Sequence, residues 1–102
     1  MPLSKNARKV LKVLARRGAP EVLVALGRGP SRFSDLQAFL LLSPRTLAER
    51  LREFHLLGFV ERQAFPEVPP RVEYTLTPRG KRVLEFLREL EDVLEGSQEV
   101  KR

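Results

Sequence analysis

The sequence predicts an α+β fold that is mainly α, with one small β-hairpin. Three observations predict it. Apolar residues recur at helical spacing in five stretches. Two short runs rich in β-branched and aromatic residues lie between the fourth and fifth stretches. Glycine, proline or serine stands at most of the junctions. A chain of 102 residues suits one domain with one modest core.

The elements follow in order. Residues 4–17 read as a helix, with Ala7, Val10, Leu11 and Leu14 at i, i+3, i+4 and i+7. Ser4 or Asn6 can cap it, and Gly18 can stop it. Residues 19–26 form a second helix, started by Pro20 and Glu21. Val22 to Leu26 is apolar without a break, so this helix is expected to be buried on most sides. Gly27 and Gly29-Pro30 end it, and Ser31-Arg32-Phe33 is a short extended link. Ser34 is expected to cap a third helix over 35–41, with Leu36, Phe39 and Leu40 facing inward. Ser43-Pro44 starts a fourth over 44–57, as cap followed by first-turn proline. Leu47, Leu51 and Phe54 line one side of it, and Arg45, Glu49 and Arg52 point roughly opposite.

Strands are expected over 59–65 and 71–77. Pro66-Glu67-Val68-Pro69-Pro70 lies between them as a stiff, exposed tip, because proline cannot donate to a sheet ladder. Thr77-Pro78 begins a last helix that runs to about Glu95. The domain is expected over 1–96, with 97–102 as a frayed polar tail.

Composition narrows the chemistry. The chain has no cysteine, which excludes disulfides and thiolate metal sites, and its one histidine, His55, makes no metal site alone. No metal and no cofactor are expected. No apolar run approaches the roughly 18 residues that span a bilayer, and no signal core follows the N-terminal charges, so a cytoplasmic protein is expected without a membrane partner. Residues 1–82 carry 16 Lys/Arg against 7 Asp/Glu, or +9. Residues 83–102 carry 3 against 6, or −3. A basic body with an acidic end suits a phosphate-facing surface plus a segment with another job.

Helix three, a short turn and helix four have the order of a helix-turn-helix, and the hairpin that follows makes it winged. In that motif the second helix enters the major groove of double-stranded DNA with its N-terminal residues at the base edges. Ser43, Arg45 and Thr46 stand at that tip, with Glu49 one turn on. Arg50 lies nearer the core side; it either meets a phosphate or pairs with Glu49 or Glu53. Arg62 and Arg71 flank the wing for the backbone or minor groove, Arg71 having Glu61 or Glu73 as alternative partners. Arg32 either anchors helix three to the DNA backbone or braces the sheet.

Three segments resemble the HxlR-type regulators. Gly29-Pro30-Ser31-Arg32-Phe33-Ser34-Asp35-Leu36 resembles their GPxRFxxL opening. Ser43 to Leu51, SPRTLAERL, resembles their recognition helix, and Phe65 to Thr77 resembles their wing, followed by Gly80. The resemblance covers residues 29–80 and implies a dimeric winged helix, related to MarR-type proteins, that binds operator DNA. Many such proteins use an N-terminal cysteine as a sensor, and this chain has none. Glu21-Val22-Leu23 stands where the family has an aromatic, and Leu40-Leu41-Leu42 replaces a more polar link. A small-molecule effector stays open, with its pocket, by analogy, between the DNA-binding head and the dimer helices.

The last helix carries more apolar surface than a small domain needs. Phe86, Leu87, Leu90, Val93 and Leu94, with Val10 and Leu14 of the first helix, are the expected homodimer interface. A monomer whose last helix closes its own core is the alternative. No phosphate loop, nucleophile elbow or metal-ligand pattern occurs, so an enzyme is not expected. The competing readings are a winged-helix protein-interaction module and a nonspecific, architectural DNA binder.

Overall fold

Four of the five helices start where a side chain or a proline suits the open end. The computed structural model describes residues 2–100, with side chains through residue 96. Its helices are α1 (Lys5–Leu14), α2 (Ala19–Leu26), α3 (Phe33–Leu40), α4 (Pro44–Leu56) and α5 (Pro78–Val100). Strands β1 (Val60–Phe65) and β2 (Arg71–Leu76) lie between α4 and α5. The Ser4 hydroxyl accepts from the Ala7 N–H at 3.0 Å, satisfying one of the donors left open at a helix start. Proline occupies the first turn of α2 and α4, where an N–H would lack a partner.

Three helices, α1, α3 and α5, differ from expectation at their ends. α1 stops at Leu14, before the expected residue 17, because the Ala15 N–H returns to Leu11 and the Arg16 N–H to Val13 in a tightened turn. Gly18 then takes φ 79°, a left-handed backbone that favours glycine, and turns the chain sharply into α2. α3 starts at Phe33 with Arg32 at the cap position, so Ser34 does not cap it. The cause lies upstream. Ser31 exchanges two backbone hydrogen bonds with Tyr74 of β2, at 2.9 and 2.8 Å, which holds the chain extended up to Arg32.

β1 and β2 form an antiparallel hairpin in register from Val60↔Leu76 to Phe65↔Arg71. Pro66, Pro69 and Pro70 all lie beyond the ladder. The core gathers Val22, Leu23 and Leu26 of α2, Leu36 of α3, Leu47, Leu51 and Phe54 of α4, and Leu84 of α5. Phe59, Val60 and Leu76 close it from the hairpin. α2 is buried over most of its surface, as expected, with Val24 the one exposed position of the run from Val22 to Leu26.

Two apolar expectations are corrected by burial. Phe39 does not face inward; it is 60% exposed, and the Arg28 guanidinium lies 4.7 Å from its ring centroid. Leu36 is the one fully buried position of α3, and Phe39, three residues on, is left at the surface beside Arg28. Leu14 is buried in the protomer's own core rather than held for a second copy.

α5 is welded to the hairpin at its start. The Thr77 hydroxyl donates to the Gly58 carbonyl at 2.6 Å and accepts from the Gly80 N–H at 3.0 Å. α5 then runs to Val100 instead of ending near Glu95. A single mid-helix glycine costs about 1 kcal/mol, too little to stop a long helix at Gly96. Residues 101–102 of the expected tail lie outside the described residues.

Candidate nucleic-acid interface

The turn between α3 and α4 is tight. Leu41 closes α3 in the left-handed region, at φ 57°, and its N–H returns to Gln37. Two residues later Ser43 caps α4. Its hydroxyl oxygen accepts from the Thr46 N–H at 3.1 Å while its own O–H donates to the Thr46 hydroxyl oxygen at 3.0 Å. Thr46 therefore keeps its O–H for an outside acceptor, at a helix N-terminus that already favours anions.

Arg45 stands beside this cap with its side chain 89% exposed. Its Nε donates to Glu49 at 3.4 Å, and Glu49 is itself half exposed. Ser43, Arg45, Thr46 and Glu49 thus share one tip, as the sequence reading expects. Arg50 stands apart. It is 7% exposed, and its two terminal nitrogens donate to Glu53 at 3.2 Å and Glu49 at 3.3 Å. Burial and pairing place its charge under the surface rather than on it. Glu53 also accepts from Arg16, at 3.1 Å. That partner was not legible in the sequence, because 37 residues separate the two. The i, i+3 spacing of Arg50 and Glu53 did signal their pair.

The wing holds its arginines differently. Arg62 is exposed on β1 and has no ion pair among the described residues. Arg71 is gripped from three sides. It pairs with Glu67 at 2.8 Å and with Glu73, and its guanidinium lies 3.9 Å from the centroid of the Phe65 ring. Glu61, the other expected partner, sits opposite Thr75 in the ladder, and Glu67 takes its place. The hydrogen bond from Arg71 holds the Glu67 carboxyl below its ordinary value, and the charge of Arg32 pulls weakly in the same direction. The bonds to Glu67 and then Glu73 raise Arg71 above its ordinary value. Arg32 is exposed at the start of α3, on the side of the wing tip.

Away from this surface, α5 keeps an apolar stripe. Phe86, Leu90, Val93 and Leu94 are each about half exposed. Leu87 and Val10 are half-buried against the core. A groove of about 770 Å³ separates Phe86 and Val83 from Leu3, Val10 and Leu11 of the N-terminal arm. Another, of about 730 Å³, lies between Leu87 and Leu90 and the residues Val24, Phe39 and Leu40. No described helix is long and apolar enough to cross a membrane.

Known proteins carry the same sequence pattern and fold. The model of the HxlR-like helix-turn-helix family matches residues 13–101. The uncharacterised HTH-type transcriptional regulator YtfH of Escherichia coli K12 is 43% identical over 90 residues, covering 87% of this chain and 71% of that one. The uncharacterised HTH-type regulator YvaP of Bacillus subtilis 168 is 41% identical over 83 residues, covering 80% and 77%. The reduced form of the transcriptional regulator YodB from B. subtilis superposes with TM-score 0.82 at 30% identity, over 89% of this chain and 90% of that one. A structure described as a MarR-family transcriptional regulator from Enterococcus faecalis V583 superposes with TM-score 0.84 at 32% identity, over 99% and 94%. With the capped α4, the hairpin after it and these relatives together, the chain belongs to the HxlR-like helix-turn-helix family of transcriptional regulators.

Proposed function

We propose that two copies join through α5 and the N-terminal arm and seat one α4 in each of two successive major grooves of operator DNA. The observation that carries this reading is the α4 tip. An exposed arginine, a half-buried threonine hydroxyl with its O–H unused and a helix N-terminus converge within one turn. Arginine forks onto guanine in the major groove, hydroxyls meet phosphate, and a helix N-terminus favours the phosphate. Arg62 and Arg32 supply charge to the flanking backbone. Arg71 reaches DNA only by leaving Glu67 or Glu73.

The dimer reading rests on the exposed stripe of α5. Its 23 residues span roughly 34 Å, which suits a shared spine between two heads. Two-fold pairing places the recognition helices about 34 Å apart, one turn of DNA. Such a protein acts in the cytoplasm by occupying a promoter. Any effector works without a thiol, and the groove between α5 and Val24, Phe39 and Leu40 is where a small apolar one fits.

The test is binding to a pool of random duplex DNA across a salt series, with the retained DNA sequenced. The expected result is a steep salt dependence and an enriched, roughly palindromic motif. Steep dependence without enrichment points to an architectural binder. No retention at low salt overturns the DNA reading.

A further inference from the structure

Five charged side chains on α4 and the α1–α2 turn form one continuous chain of ion pairs. It runs from Arg45 to Glu49, to Arg50, to Glu53 and to Arg16, with successive contacts of 3.4, 3.3, 3.2 and 3.1 Å. Each glutamate uses both oxygens. One oxygen of Glu49 accepts from Arg50 and the other from Arg45; one oxygen of Glu53 accepts from Arg50 and the other from Arg16. Arg50 is the centre, and it is the only charged residue in the core of the described protomer.

Its burial is informative. A buried ion pair is a weak stability device, because desolvation offsets the attraction. The Nε of Arg50 has no partner among the described residues. Its terminal nitrogens therefore do all of its polar work, and that work is to fix two carboxylates. Glu49 is the one that faces the α4 tip. Arg45 by itself is poorly placed: a cation at a helix N-terminus opposes the dipole, and arginine preceding glutamate is the weaker order for an i, i+4 pair. A carboxylate held from behind compensates for both. The pair engages Arg45 through Nε, so Nη1 and Nη2 are left for an outside acceptor. Those two nitrogens form the end-on fork that meets O6 and N7 of guanine.

We propose that Arg50 is a positioning residue that acts through Glu49 to present the terminal nitrogens of Arg45 to a guanine. It does not touch DNA, and it sets base preference rather than overall affinity. This rests on the reading of α4 as the helix in the major groove.

The test compares the wild-type chain with Arg50→Met, Glu49→Ala, Arg45→Ala and the Arg45→Ala/Arg50→Met double variant. Each is given the random duplex pool, and helix content is checked by circular dichroism. Arg45→Ala, Glu49→Ala and Arg50→Met are each expected to weaken one guanine preference at the same position by about tenfold. Arg50→Met leaves bulk duplex affinity and its salt slope within about twofold, and adds nothing to Arg45→Ala. Uniform weakening and a flatter salt slope in Arg50→Met would mean a direct phosphate contact and would overturn the proposal. So would a full guanine preference in Glu49→Ala, a half-exposed position that reports even if Arg50→Met does not fold. Failure of the wild-type chain to retain DNA overturns the groove reading instead, and the positioning role with it.

Discussion

Gly80→Ala is expected to be the most damaging glycine-to-alanine change in the molecule. A Cβ at Gly80 lies 2.0 Å from the Phe59 carbonyl oxygen and 2.9 Å from its carbon. These are backbone atoms, so no side chain can rotate aside. Gly80 is needed for space and not for conformational freedom, since its backbone is ordinary helix. Relief requires α5 to move away from the hairpin, which strains the bonds of Thr77 to Gly58 and Gly80. Overpacking of a tight site costs about 1–3 kcal/mol, occasionally more, and a backbone clash belongs at the upper end. A loss of about 3 kcal/mol lowers Tm by on the order of 15 °C in a domain of this size.

Gly96→Ala is the internal control. It lies in the same helix with nothing among the described residues within 4 Å of an added Cβ, so removing a mid-helix glycine should stabilise by about 0.5–1 kcal/mol. Urea denaturation of both variants, at fixed protein concentration, gives the two numbers. If Gly80→Ala falls within about 0.5 kcal/mol of wild type, the close approach of α5 to Phe59 is not rigid and the reasoning fails.

Three other outcomes are expected. Arg45→Ala should cost about 1–3 kcal/mol on the selected operator, whereas Arg62→Ala should weaken all sequences alike and flatten the salt slope, both read by fluorescence anisotropy. Leu90→Glu, in the middle of the half-exposed α5 stripe, should convert the proposed dimer into a folded monomer in light scattering; a wild-type monomer at micromolar concentration would sink the dimer reading. The hold of Glu67 on Arg71 should be complete above the ordinary carboxylate value of 4.5 and lost as pH falls through the lower folded value. NMR should therefore show the signals of Glu67 and Arg71 shifting in acid while those of Leu47 and Phe54 stay fixed.

Much of this protein was legible along the chain because its signals are local. Ser43-Pro44 marks the start of α4 whatever lies nearby, since cap and first-turn proline act on the backbone next to them. Spacing of three and four residues put Leu47, Leu51 and Phe54 together on one face and Arg45 with Glu49 on another. Pro66, Pro69 and Pro70 excluded a ladder at the wing tip by their missing N–H groups. Tertiary contact decided the rest. Ser31 pairs with Tyr74 and moves the start of α3; Leu14 is claimed by its own core; Phe39 is left outside beneath Arg28. The Arg16–Glu53 pair and the approach of Gly80 to Phe59 join residues far apart in sequence. Periodicity states which residues share a face, but only packing decides which face finds a neighbour, because burial depends on atoms that lie elsewhere in the chain.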